Sequence, residues 1–413
     1  MNKNFPYAKT FLLGFGFFGI SMIWPIFNTY IPIFLKDDFL LSATMIGFIM
    51  TWDNYLNIFI QPVVGERSDR TWTRIGRRKP WMLVGAPLAA IFFIAVPVMR
   101  SVAGIMFAIF LTNISMALFR SPTVSLLGDL FPPNQRSTAN GIINLMGGLA
   151  AIAAYFVGGL LYSLGRITPF VFGSLLLLIA IAMVLIFIKE PRIPQEIEKE
   201  EAGRGFIANL REVMNSSDRS GLLILLAILC WFTGYNSLET WISSFGKYSL
   251  QIGEGTMSIL VSGMAVMFVI FAVPSGLIAT RFGRRHTILV GIAGLIVLFT
   301  YGFFVRNQIM LIALLVLAGI FWALINVNSL PMVYDVGGNA RIGAFTGLYY
   351  LASNIAAVAG PQVVGLLIDL TKGNYRIMFI FATIFMVLAG VFMLRVRDPQ
   401  KTGDTQAIME EPA

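Results

Sequence analysis

Charge is scarce in this chain. Of its 413 residues only 12% are Asp, Glu, Lys or Arg, whereas a soluble domain carries about 25%. So little polar material cannot cover a water-exposed surface, and the chain falls in the membrane class. Its one cysteine, Cys230, excludes an intramolecular disulfide and any multi-cysteine metal site. Its one histidine, His286, leaves little for a His-based metal centre or a nucleophilic triad. With no nucleophile–base pair or metal cluster in view, an enzyme is not expected.

What the chain has is apolar length. It is 57% hydrophobic with a mean hydropathy of +0.78. About twelve stretches approach the ~20 residues that span a bilayer: 10–35, 43–64, 81–99, 103–128, 137–163, 167–188, 220–246, 254–279, 287–305, 308–334, 343–370 and 376–394. They are too long, and alternate too little, for membrane strands. The first is too long and too polar-studded for a signal-peptide core, so it is expected to stay as the first helix. With an even number of helices, most of the 30 basic residues fall on the side of the termini, notably Arg67 to Lys79, Lys189 to Arg219, and Arg281, Arg284 and Arg285. The positive-inside rule then makes that side cytoplasmic in a multi-pass cell-membrane protein. The net charge of +9 is thus mainly topology, and no basic soluble domain points to nucleic acid.

One polar interruption, Lys189 to Gly221, divides the helices six and six. The expected organisation is a first bundle over 1–190, a cytoplasmic linker over 191–219, a second bundle over 220–398 and a tail over 399–413. The halves repeat. Asp129, Gly141 and Gly159 recur at the same spacing as Asp335, Gly347 and Gly365, Trp24 recurs as Trp231, and "GRRK" at Gly76 recurs as "GRRH" at Gly283. Two parallel six-helix repeats predict an all-α membrane fold with its solute site at the repeat interface.

The stretch "GERSDRTWTRIGRRKP" from Gly65 resembles the loop signature of the major facilitator superfamily. Its longer form, with "WD" before it and "PW" after, is similar to the glycoside–pentoside–hexuronide cation symporters. "NTYIPIFL" and "RSPTVSLLGD" look more like that family's sucrose branch than its melibiose branch. The resemblance implies a twelve-helix symporter working by alternating access. It also implies that charged groups near the loops bias the alternating equilibrium: Gly65, Asp69, Arg70, Gly76, Arg77, Arg78, Asp129 and Arg136 in the first half, and Gly283, Arg284, Arg285, Asp335 and Arg341 in the second. Topology and solvation alone would also account for these charges. Gly65 and Gly76 are expected to allow close backbone approach and tight turning, and helix-end capping and loop pairing account for Asp129 and Asp335.

An ionisable group inside a membrane helix is a functional candidate by default. Asp53 lies roughly 18 Å from the loop by helix rise, followed by Asn57 and Gln61 on one face. Arg120 is at a comparable depth, with Asn113 two turns above it. Asp53 fits either a structural ion pair with Arg120 or a cation-coupling site. Burial favours the neutral acid and a neighbouring guanidinium favours the carboxylate, so a balanced pair can change protonation during transport. The family resemblance assigns the helix-two acid to cation binding, which carries over to Asp53. Here, however, Asn57 and Arg120 stand where the melibiose branch has acids, and the sucrose-branch arginine would align with Val124. One carboxylate beside an arginine suits a proton better than Na⁺, and no other cofactor is expected.

In the second half Tyr235, Asn236 and Glu239, then Trp322, Asn326 and Ser329, then Tyr350 and Asn354, each share a helix face, and Trp24 and Asn28 can join from helix one. Aromatic plates with amides and hydroxyls suit a neutral polyhydroxylated ligand, although helix–helix hydrogen bonding also accounts for such groups. The expected activity is proton-coupled sugar symport by a monomer in the bilayer. Export of drugs or amphiphiles, and a non-transporting receptor or scaffold, remain as alternatives.

Overall fold

A computed structural model describes residues 5–191, 219–337 and 342–397. Among them the only regular structure is helical: α1 Tyr7–Asp37, α2 Ala43–Met50, α3 Trp52–Arg70, α4 Lys79–Ala95, α5 Val102–Leu130, α6 Pro133–Tyr162, α7 Thr168–Phe187, α8 Ser220–Leu250, α9 Glu254–Phe282, α10 Arg284–Gly302, α11 Gln308–Gly337, α12 Ile342–Leu370 and α13 Ile377–Arg395. A 3₁₀ turn, Val96–Val98, extends α4. Eleven of these spans are long and apolar enough to cross a membrane. Inside a bilayer the backbone must satisfy its own hydrogen bonds, which is why only helices appear. Their outward faces carry apolar side chains such as Phe59, Ile91 and Val273, each well over half exposed.

The twelfth span departs from the expected continuous helix. It breaks at Thr51, whose backbone (φ −104°, ψ 5°) ends α2 and begins α3. The Thr51 hydroxyl donates to the carbonyls of Gly47 (3.2 Å) and Phe48 (3.0 Å), competing with the backbone for those acceptors. After the break α3 continues to Arg70, well past the expected end near residue 64. Gly65 therefore sits inside a helix and is not a turn residue. Its missing side chain lets Ser121 of α5 approach, since a Cβ there would lie 3.2 Å from the Ser121 hydroxyl. Gly76 and Gly283, at matching places in the repeat, do adopt positive φ (+124° and +86°), a conformation that glycine takes without strain.

The chain divides into two compact units. One comprises Met1–Glu198 with Thr240–Val266, the other Lys199–Glu239 with Met267–Ala413. In the first, α1 packs on α6 and α7, and α5 packs on α3 and α4. In the second, α11 packs on α10 and α13 on α10. The C-terminal part of α8 and the N-terminal part of α9 fall in the first unit, and the rest of both helices in the second.

Candidate functional site

The break at Thr51 positions the key acid. Asp53 falls in the first turn of α3, where backbone N–H groups lack intrahelical partners and the helix dipole favours negative charge. Its carboxylate accepts a hydrogen bond from the Asn54 side-chain amide at 3.0 Å. The charge of Arg120 acts on the same carboxyl group.

Two contacts set the register of α3 against α5. The rings of Trp52 and Phe110 meet at 6.2 Å, and the Ser121 hydroxyl donates to the Gln61 carbonyl at 3.2 Å. Both pairs advance in the same direction, so the helices run parallel. Asp53 is one residue past Trp52 and Asn113 three past Phe110, which puts them within about 3 Å along the axis. Arg120 lies two turns further along the same face of α5, and helical side chains lean back toward the N-terminus, which brings its guanidinium toward Asp53. Asn113 is 2% exposed, and neither its amide nitrogen nor its amide oxygen has a hydrogen-bond partner. A buried polar group in that condition costs about 1–3 kcal/mol. Asn57 is half-buried one turn after Asp53, and Trp24 and Asn28 are half-buried on α1.

In the second unit, Tyr235 of α8 stacks on Trp322 of α11, with ring centroids 3.8 Å apart and planes within 4°. Phe232 meets Trp322 edge-on at 5.5 Å and Tyr349 of α12 at 6.1 Å. The hydroxyls of Tyr349 and Ser329 lie 3.2 Å apart. Phe232 and Tyr349 were missed in the sequence. Tyr350, expected there, is 54% exposed and meets Tyr349 edge-on at 5.3 Å; the helix phase of α12 turns its neighbour inward instead. Asn236, Glu239, Asn326 and Asn354 are half-buried. The buried Asn328, also missed, donates to the Ser275 hydroxyl (2.8 Å) and ties α9 to α11.

The loop charges form a closed network in the first unit. Asp129 accepts from Arg77 at 2.5 Å and from Arg78 Nε at 3.0 Å, all three side chains being under 10% exposed. Arg78 also bonds Asp69 and the Ser68 hydroxyl. Glu190, unremarked in the sequence, caps the start of α4: its carboxylate accepts the backbone N–H of Arg77 (2.7 Å), Arg78 (3.0 Å) and Lys79 (2.8 Å). A Cβ on Gly76 would lie 2.5 Å from that carboxyl carbon, so the glycine serves the cap as well as the turn. Arg70 stands apart, pairing with Glu66 on the exposed side of α3. Arg136 caps the end of α5 through the carbonyls of Phe131 (3.0 Å) and Gly128 (3.2 Å). In the second unit Arg284 pairs with Asp335, while Arg285 donates to the carbonyls of Leu394 (2.6 Å) and Met393 (3.4 Å). Arg341 lies outside the described residues.

An all-helical membrane protein with a repeated loop network and polar groups inside its spans has the build of a polytopic transporter. Residues 13–253 and 247–412 match the Major Facilitator Superfamily, and the chain belongs to that family. It is 24% identical over 310 residues to the isoprimeverose transporter of Lactiplantibacillus pentosus, covering 70% of this chain and only 63% of that protein. It is 22% identical over 377 residues to multidrug resistance protein 1 of Bacillus subtilis (strain 168), covering 90% and 91%. Among solved structures, the D323A mutant of the nucleoside transporter NupG superposes with a TM-score of 0.75 at 15% identity, over 94% of this chain and 100% of that one. The first and the last of these are transporters by name, and none of the three is named as an enzyme.

Proposed function

We propose that the chain is a secondary transporter that takes up a neutral polyhydroxylated solute, a sugar or glycoside, together with a proton. The observation that carries this reading is a polar set in the first unit: a single acid, Asp53, the unpartnered amide of Asn113 at its depth, and a single guanidinium, Arg120, which lies two turns further along α5 and acts on Asp53 through its charge. Protonation of Asp53 releases Arg120, whose N–H donors then meet solute hydroxyls. The Asn113 amide offers an NH2 donor group beside a carbonyl acceptor, the pattern that a pair of adjacent hydroxyls complements. Na⁺ would want several oxygen ligands, and this cluster offers one carboxylate. The stacked Tyr235–Trp322 pair in the second unit suits the apolar face of a sugar ring, with Asn236, Glu239, Asn326 and Asn354 as nearby polar groups. Trp24, Asn28 and Asn57 extend the polar set in the first unit. The protein sits in the cell membrane with both termini cytoplasmic.

The test is uptake of a radiolabelled disaccharide into energised vesicles. Accumulation that a protonophore abolishes, and that survives removal of Na⁺, is expected. Asp53→Asn should lose accumulation while keeping exchange. One charge moved across 100 mV is worth about 2.3 kcal/mol, roughly a 50-fold gradient at about 1.4 kcal/mol per tenfold. Accumulation by the Asn variant, or a strict need for Na⁺, would overturn the assignment. The match to multidrug resistance protein 1 along nearly the whole chain supports a second reading, export of amphiphiles. That reading predicts no sugar accumulation but energised extrusion of a cationic dye. A receptor or scaffold would do neither.

A further inference from the structure

One stripe of α3 runs out of the apolar span into charge. Phe59 is 71% and Val63 50% exposed, so both face acyl chains in the span formed by α2 and α3. Arg67 follows at the next i+4 step and Arg70 three residues later, both exposed, which carries the same face onward to the headgroup level. Arg70 pairs with Glu66, and the neighbouring Asp69 pairs with Arg77 and Arg78. Beyond the helix a two-residue hairpin closes, with the backbone N–H and carbonyl of Thr73 bonding those of Gly76, both at 3.2 Å. Its tip is Arg74 and Ile75, both exposed, and Trp72 stands 54% exposed just before it. Among the described residues neither Arg67 nor Arg74 has an ion-pair partner. The hairpin is held from behind: the Trp81 indole N–H donates to the Thr71 hydroxyl at 3.2 Å, and the Arg77 guanidinium lies 5.8 Å from the centre of the Trp72 ring.

We propose that Arg67, Arg70 and Arg74, with Trp72 and Ile75 beside them, form a binding site for the phosphate of an anionic phospholipid. Position favours a lipid over a soluble anion. The arginines continue the face that Phe59 and Val63 present to acyl chains, so a lipid lying along that face ends at them. Arginine lays its apolar stem along such a surface and keeps its charge in the headgroup layer, where its planar donors match phosphate oxygens. An indole belongs at the membrane–water interface, and Ile75 on a polar hairpin tip gains burial there. Three arginines less the one acid among them, Glu66, leave a charge of +2, which attracts an anionic headgroup and not a zwitterionic one. A lipid seated there fixes Trp72 over Arg77, and through Arg77 it reaches Asp129. The site rests on the membrane fold alone, on neither the solute nor the coupling ion.

The test is lipid binding by the whole chain in detergent. Native mass spectrometry counts phosphatidylglycerol retained across a titration, with phosphatidylcholine as the zwitterionic control, and phosphatidylglycerol should bind more tightly. Arg67→Gln with Arg74→Gln should weaken the tightest phosphatidylglycerol about 25-fold, from about 1 kcal/mol per basic residue at about 1.4 kcal/mol per tenfold. Trp72→Gln with Ile75→Gln changes no charge and should weaken it at least about threefold. Arg281→Gln with Arg395→Gln removes as much charge from exposed positions on other helices and should leave the affinity within about twofold. All the replaced side chains are exposed, so every variant should melt as the unmodified chain does in lipid-free detergent. Unchanged affinity in the Arg67 and Arg74 variant would overturn the site, and an equal loss in the Arg281 and Arg395 variant would reduce it to diffuse surface charge. Insensitivity to the Trp72 and Ile75 change, with displacement by inorganic phosphate, would make the ligand a soluble anion and overturn the lipid. The competing occupant is the acidic stretch of the linker. Phosphatidylglycerol binding that emerges only after Glu196, Glu198, Glu200 and Glu201 are replaced by Gln would assign the arginines to that stretch instead.

Discussion

Asp129 and Asp335 occupy equivalent places in the repeat, yet their loss should differ several-fold in cost. Asp129 faces two guanidinium groups, and the three side chains are 5%, 9% and 4% exposed. Asp129→Asn leaves Arg77 with Asp69 alone, at 3.8 Å, and leaves Arg78 leaning on that same carboxylate, which is itself 51% exposed. An uncompensated buried charge costs about 3–5 kcal/mol. Asp335 pairs with Arg284 at 27% and 33% exposure, where an ion pair contributes about 0–1 kcal/mol. At about 2–4 °C per kcal/mol for a unit of this size, Asp129→Asn should lower the melting temperature by at least ~6 °C and Asp335→Asn by less than ~4 °C. The measurement is thermal loss of helical circular dichroism of both variants in one detergent. Asp69→Asn, which leaves Asp129 holding both arginines, serves as the internal control and should resemble Asp335→Asn. Equal shifts for Asp129→Asn and Asp335→Asn, or a larger shift at Asp335, would refute the reasoning that burial and not sequence position sets the cost.

Two further outcomes test the membrane cluster. Arg120→Ala alone should destabilise the fold, by up to about 3–5 kcal/mol if the pair behaves as buried, whereas Asp53→Asn with Arg120→Gln should recover stability and remain unable to accumulate solute; additive melting shifts in this double-mutant cycle would show that the two groups act separately. Asn113→Leu should hold or raise thermal stability, because it removes a buried amide whose missing partners cost about 1–3 kcal/mol, and should weaken disaccharide affinity about tenfold or more; a variant that melts earlier and binds as before would make Asn113 a structural residue.

The membrane class, the number of spans and the repeat are written in local composition. A helix crossing a bilayer must be apolar over about 20 consecutive residues whatever its neighbours do, so each span announces itself, and the loop charges mark its ends. Asp53, Arg120 and Asn113 were legible for the same reason, as polar groups where local composition leaves no solvent for them. The tertiary structure decided what depends on distant partners or on backbone detail. Nothing near Thr51 marks it as a break, because its hydroxyl competes for carbonyls only once the helix is formed. Glu190 caps α4 from more than a hundred residues away, and no spacing rule connects it to Gly76. Tyr349, not Tyr350, joins Phe232 and Ser329 because the phase of α12 is set by packing on other helices. Asp129 and Asp335 read identically in the repeat and differ in how deeply they are buried and in how many arginines they bond. Lys247 read as one more loop charge on the less basic face, yet it joins three helices there. Hydropathy is a property of a segment, whereas desolvation, capping and ion pairing belong to pairs of segments that only the folded chain brings together.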